Sequence, residues 1–474
     1  MSPDQDVSRR DFVKTAAAVS VVAAAAKKVE GFPYINSVRA ASEQVAFGMI
    51  GTGSRGAYLL KHLKQVENGR CVALCDDWDV RLKQGVDTVG TNPATYKDYR
   101  ELLARKDIDA VLVVTPLYMH FPVTKDVLEA GKHVFCEKSL VHKPEEVHAL
   151  RALKEARPNQ VLQTGLQRRY SLFYQTARQM IQSGMLGDVT HIRAQWHRNS
   201  NQRKPIPDPK DLKMDRKVNW RMYREYAGGN TAELASHQID VADWMFGAAP
   251  DFVIGLGGID YYKDGRDTFD NIQLIYSYPK GRKLLYSSIS TNSHLDLLQA
   301  KRVEFGEVIM GTAGCIEITI GDDNNPAVGL WYREPKPITS TEVAKAGEKK
   351  DAFKAGATMT TAAANKGYPL LLPKDSAAMS DSFLSREAKF ARRWLYSKGI
   401  MVPEEDRNPV DLELEDFFNC CKNPSRKPKS DLEVGLADST AVILSNLAMD
   451  ENRRVYFNEI DKFKPGAAPN SKKS

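Results

Sequence analysis

The sequence predicts an α/β protein whose first domain is a doubly wound parallel sheet. Three observations carry this. From Val45 onward, short apolar runs alternate with helical patterns. Gly51, Gly53 and Gly56 stand in GxGxxG spacing between the first such run and the helical pattern of Ala57, Leu59, Leu60 and Leu63. The second run, Cys71 to Cys75, ends on an acid, Asp76, about 20 residues after Gly53.

Each element follows in order. "AFGMI" is a buried strand. The turn "GTGSRG" opens a helix, with Gly51 for the tight bend, Gly53 for close approach of a pyrophosphate and Gly56 for close helix–strand contact. The phosphates of a dinucleotide belong at the positive end of that helix, near Thr52, Ser54 and Arg55. A carboxylate at Asp76 accepts hydrogen bonds from an adenosine ribose and repels a 2′-phosphate. This favours NAD over NADP, although Arg81 keeps NADP open. "DAVLVVTP" is a third strand, ended by Pro116. Val123 to Ala130 is a helix stopped at Gly131, and "HVFCEK" is the next strand. "PEEVHALRALKEAR" starts a helix with Pro144 and two acids in its first turn, and "VLQTGLQ" is another strand.

The ends of the chain carry a different signal. Arg9 and Arg10 precede Phe12, Lys14 and an apolar run from Thr15 to Ala26. That run is shorter than the about 20 residues a bilayer span needs. It is expected to be a twin-arginine export signal, which places a folded, cofactor-loaded protein in the periplasm. Of the formal charge of +7, residues 1–40 hold +2 and the tail from Lys462 holds +4. The body is therefore near neutral and offers no nucleic-acid-binding face. The six cysteines have neither zinc-ligand nor CxxC spacing, so neither metal nor disulfide is expected, and Cys71, Cys75 and Cys136 belong to strand cores. Residues 335–376, rich in Ala, Lys and Thr, are expected to be an insertion, either a lid or a disordered loop.

In such a sheet, ligands bind beyond the carboxyl ends of the strands, where Glu137 and Lys138 follow a buried run. The ordered blocks GTGSRG, Asp76, "TPLYMH", "GKHVFCEKSL", "GLQRRY" and "GGNTAELASHQIDVADWMFG" resemble the Gfo/Idh/MocA oxidoreductase family, from about Val45 to Gly247. Weaker matches return at "GEVIMGTAGCIEI" and "SDLEVGLADSTAVILSN". The resemblance implies a Rossmann domain followed by an α/β domain with a large, open, mostly antiparallel sheet. It implies a nicotinamide dinucleotide, sugar or cyclitol substrates, and a homo-oligomer, dimer or tetramer. Residues Phe32 to Ser42 are a candidate arm for a neighbouring subunit.

By the same resemblance, Lys138 and His237 are the catalytic pair; Glu233 is a third candidate catalytic residue, and Thr115, Pro116, His120, Glu137 and Lys138 join the cofactor site. Two departures stand out. Ser139 replaces the proline after the lysine. Glu233 and Ala235 replace the usual Asp and Gly before the histidine. On a helix, Glu233 and His237 share a face, and Asp240 is placed to hold the imidazole in one tautomer. An imidazole suits removal of an alcohol proton, and a lysine beside an oxidised nicotinamide has a lowered pKa. Arg168, Tyr170, Trp196, His197 and Arg198, with Trp220 and Arg221, are expected to wall the sugar pocket. The domains are then 1–40 signal and linker, 45–165 dinucleotide domain, 166–460 substrate and oligomerisation domain, and 461–474 basic tail. A cofactor carried through export must be regenerated in place. Two other readings stand beside an oxidoreductase: a glycosidase that oxidises its sugar transiently, and a non-catalytic sugar sensor.

Overall fold

The computed structural model describes residues 44–293, 305–319, 328–333, 368–369 and 407–465. The expected export signal, the candidate arm, nearly all of the expected insertion and the last residues of the tail lie outside them.

The first domain runs β1 (Val45–Ile50), α1 (Ser54–Leu63), β2 (Gly69–Cys75), α2 (Asp79–Val89), β3 (Ala94–Tyr96), α3 (Tyr99–Leu103), β4 (Ala110–Val113), α4 (His120–Glu129), β5 (His133–Glu137), α5 (Pro144–Glu155) and β6 (Leu162–Gly165). All neighbouring strands are parallel, in the order β3-β2-β1-β4-β5-β6. Every residue of β1, β4 and β6 is buried, the pattern of strands covered on both faces. The strand order reverses between β1 and β4, and the crevice beyond their carboxyl ends is where such sheets bind ligands.

The second part contains α6 (Leu172–Gln182), β7 (Val189–His197), α7 (Leu212–Val218), α8 (Ser236–Phe246), β8 (Phe252–Gly258), β9 (Asn271–Tyr278), β10 (Arg282–Ile289), β11 (Phe305–Gly311), β12 (Gly314–Thr319), β13 (Val328–Arg333), β14 (Tyr368–Pro369), α9 (Pro409–Lys422), α10 (Leu432–Asp450) and β15 (Val455–Tyr456). Its strands form one sheet in the order β14-β13-β12-β11-β7-β10-β9-β8-β15, antiparallel except at β7–β10. Strict alternation places Ile272, Leu274, Tyr276 and Tyr278 of β9 inward. They share one core with Ile239, Ala242 and Met245 of α8 and with Leu444 and Ala448 of α10. The outward face keeps apolar residues in solvent: Ile254, Leu256, Ile275 and Leu285 are 36%, 65%, 41% and 37% exposed.

Two helices depart from a simple two-domain division. The sequence is expected to hold no membrane-long apolar run after Ala26, yet α10 is long and apolar enough to cross a membrane by length and composition; its Leu436, Ala441 and Leu444 are buried in the protein core. α9 falls in the expected second domain yet packs on the first sheet. Its Phe418 ring stacks on Phe47 at 5.2 Å, and Phe417 meets Phe135 edge-on at 5.8 Å. A Cβ on Gly69, at the start of β2, would lie 2.2 Å from the Phe418 ring, so this contact requires glycine there.

Candidate active site

The turn after β1 is built as its glycines predict. Gly51 has φ +95°, and its N–H donates to Cys75 O at 2.8 Å. A Cβ on Gly56 would lie 2.2 Å from Gly51 O, so α1 reaches the strand only because that residue has none. A Cβ on Gly53 would meet nothing within 4 Å, and no side chain caps α1. The free N–H groups of this helix start therefore face open space, a cradle that fits a pyrophosphate. Thr52 and Gly56 do not line that space. The Thr52 N–H and hydroxyl both donate to Asp76 Oδ2, at 2.8 and 3.2 Å. Asp76 Oδ1 accepts from the Trp78 N–H at 2.9 Å and keeps a lone pair for a ribose hydroxyl.

One cavity of about 1080 Å³ continues from this turn past the ends of β4 and β5 to the start of α8. Gly51, Gly53, Ser54, Arg55, Asp76, Thr115, Pro116, His120, Glu137, Lys138, Trp196, Trp220, Arg221, Glu233 and His237 all line it, which unites most of the residues expected from sequence.

At its inner end, Glu137 is held by Arg55 at 2.6 Å, tying the first turn of α1 to the end of β5. The buried His120 ring bridges two carbonyls, Ser139 O at 2.7 Å and Thr115 O at 2.9 Å, and so fixes the ends of β4 and β5 relative to each other. The peptide between Lys138 and Ser139 is cis. Lys138 Nζ donates to Ala232 O at 2.7 Å and Glu233 O at 2.8 Å. Both carbonyls belong to a π-helical turn, Thr231–Ala235, that leads into α8. An ammonium has three donors, so one remains for the cavity. Burial pushes the Lys138 pKa below its ordinary value, with Glu233, Glu137 and Asp438 pulling against it.

His237 sits in the first turn of α8, and its Nδ1 is buried without a hydrogen-bond partner. Burial, then Lys138, Arg168, Arg55 and Arg198, push its pKa well below the usual value, which favours the neutral imidazole. The expected tautomer partner is not there. Asp240 pairs with Arg169, Nη2 to Oδ1 at 2.6 Å, because a guanidinium is a stronger partner for a buried carboxylate than a neutral ring. Glu233 is bound by Arg221, Nε to Oε2 at 2.7 Å. Burial opposes its ionisation, but Arg221 and Lys138 outweigh burial and hold the carboxyl below its ordinary range.

The expected sugar wall is only partly correct. Trp196, Trp220 and Arg221 line the cavity, with the Arg221 guanidinium 4.2 Å from the Trp220 ring centre. Arg168 does not. It is 3% exposed and bonds the fully buried Glu307 of β11, a carboxylate that requires a cation beside it. Tyr170 is 1% exposed, and its hydroxyl donates to Asp416 Oδ2 at 3.0 Å. His197 turns to the other face of β7 and bonds Ser287 Oγ at 2.9 Å, while Arg198 lies over Trp196 at 4.9 Å and outside the cavity wall.

Two residues went unnoticed in the sequence. Lys204 lines the cavity from a stretch without periodicity. Asp438 of α10 is buried beside the Ser139 hydroxyl and Lys138. Its only sequence signal was an acid within an apolar helix.

The Oxidoreductase family, NAD-binding Rossmann fold (Gfo/Idh/MocA) matches residues 45–165, and the Gfo/Idh/MocA C-terminal domain matches residues 174–317. Myo-inositol 2-dehydrogenase of Thermotoga maritima is 28% identical over 213 residues, 45% of this chain and 58% of that protein. Glycosyl hydrolase family 109 protein 2 of Shewanella sp. (strain ANA-3) is 31% identical over 159 residues, 29% of this chain and 35% of that protein. The chain spans about half the length of the curated relatives it matches. Aldose-aldose oxidoreductase from Caulobacter crescentus, solved with glycerol, shares the fold with a TM-score of 0.60 at 19% identity, covering 87% of this chain and 99% of that one. Both family domains are present in order over more than half of the sequence, and the protein belongs to the Gfo/Idh/MocA oxidoreductase family.

Proposed function

We propose that this protein oxidises a secondary alcohol of a sugar, glycoside or cyclitol and keeps its dinucleotide bound between turnovers. One observation carries the reading: Lys138, with one donor uncommitted, and a neutral His237 face the same cavity as the open cradle at Gly51–Gly53. A nicotinamide dinucleotide held there by the start of α1 and by Asp76 supplies the hydride acceptor. Lys138 hydrogen-bonds the reacting oxygen. His237 takes the hydroxyl proton, and its lowered pKa keeps it unprotonated and ready. Trp196 and Trp220 offer faces to the sugar ring, and Glu233, oriented by Arg221, accepts from a further hydroxyl.

NAD is the proposed nucleotide, on the strength of the Asp76 carboxylate at the ribose end. Export through the twin-arginine route and assembly through the apolar outer face of the second sheet into a homo-oligomer belong to the same proposal. A relative named for exchange between two aldoses supports regeneration of the nucleotide in place. A second reading, a glycosidase with transient oxidation, is favoured by the glycosyl hydrolase family 109 match.

Mass and absorbance of the nucleotide released on denaturation should identify NAD. Asp76→Ser should lower the NAD-to-NADP ratio on reloading. In the intact protein, a reactive sugar should reduce the bound nucleotide in a single turnover. His237→Ala should slow that step by about 10²–10⁴-fold with nucleotide content unchanged. Reduction by His237→Ala at the parental rate overturns the site assignment. Release of nitrophenol from a nitrophenyl glycoside without net reduction selects the second reading.

A further inference from the structure

Nine Lys and Arg side chains but four carboxylates line the cavity. Glu137 is matched by Arg55 and Glu233 by Arg221. Lys138 is drawn to Glu233, Glu137 and Asp438, and Lys204 is among the cations left over. Lys204 has no carboxylate partner, and Arg221 and Arg81 add like charge to it; after burial, they push its ammonium below the ordinary value.

Lys204 is also placed with care. Its backbone N–H donates to Asn219 Oδ1 at 2.7 Å, and its carbonyl accepts from Asn219 Nδ2 at 3.0 Å. Asn219 is 3% exposed and donates again to the buried Asp215 at 2.8 Å. Both ends of one amide side chain are therefore spent on the backbone of one residue, which fixes where the lysine leaves the chain. Gathering unmatched cations around a cavity raises the cost of each, and a ligand that brings an anion removes that cost.

We infer that the substrate is an anionic sugar, a polyol bearing a carboxylate or sulfate ester that pairs with Lys204 while a hydroxyl lies between Lys138 and His237. This rests on the proposed oxidoreductase reading and names its substrate class.

The test uses the full protein with its bound nucleotide and reads binding from tryptophan fluorescence, since Trp196 and Trp220 line the cavity. Galactose, galacturonate and galactose 6-sulfate are titrated at low salt. At least one of the two anions should bind about 10-fold or more tighter than galactose, and the preference should shrink in 0.5 M salt, where screening acts within about 4 Å. The tighter of the two identifies the anion. Lys204→Ala should abolish the preference with nucleotide content unchanged, and Lys204→Arg should retain most of it. Equal binding of all three sugars, no binding of either anion, or a preference that survives Lys204→Ala overturns the inference. So does loss of nucleotide from Lys204→Ala, which assigns the lysine to the cofactor. Reduction of the nucleotide is recorded separately. A Lys204-dependent anion preference without reduction by any sugar leaves this inference standing and sinks the oxidoreductase reading.

Discussion

Asp438 illustrates how one side chain couples the site to stability. Burial, and then the Asp240 carboxylate, push its carboxyl up to about 7, against the pull of Lys138. An unfolded aspartate titrates near 4. Between roughly pH 4 and 7 the unfolded chain releases this proton while the native protein keeps it, so the residue lowers stability as pH rises through that window. Asp438→Asn should therefore stabilise the protein above pH 7, by on the order of 1–4 kcal/mol, and lose that advantage near pH 4. Thermal melts of parent and variant at both pH values check this, and a difference independent of pH would contradict it. The expected site residues that line the cavity include those placed by backbone geometry or element position: Gly51, Gly53, Asp76, Lys138 and His237. The misplaced ones, Arg168, Tyr170 and Asp240, are polar side chains whose partners arrive from elsewhere in the chain, Glu307, Asp416 and Arg169. Residue type alone does not distinguish a sugar wall from a buried ion pair.

Among the elements, β1, β4 and β5 were legible because apolar runs between helical patterns leave few alternatives. The π-helical turn before α8 was not, since nothing in "TAELA" marks a wider turn. Its carbonyls nevertheless set where Lys138 points. α9 was half legible. Val410, Leu414, Phe417 and Cys421 form a buried stripe, but a stripe does not say which sheet it covers. Phe417→Ala should cost about 3–5 kcal/mol, as removal of a fully buried aromatic does. Because that stripe covers the first sheet, the loss should also loosen nucleotide retention, measured as nucleotide remaining after gel filtration. Full retention in a destabilised variant would separate α9 from the dinucleotide domain.

For the molecule as a whole, the proposed route out of the cytosol requires a folded, loaded body with a near-neutral surface behind a basic leader. Replacing Arg9 and Arg10 by Lys keeps the charge and should leave the protein in the cytosolic fraction, followed by cell fractionation and immunoblotting. Undiminished periplasmic protein would rule out the twin-arginine route.

The placement of α9 has a consequence for synthesis. The first sheet is complete in the nascent polypeptide by Gly165, yet the helix that covers Phe47 and Phe135 begins only at Pro409. Until the ribosome has released that segment, one side of the nucleotide-binding half stays bare. Premature termination anywhere between those points yields a product with an exposed aromatic surface, the kind that chaperones and proteases recognise. The first core therefore closes only after most strands of the second sheet have been made.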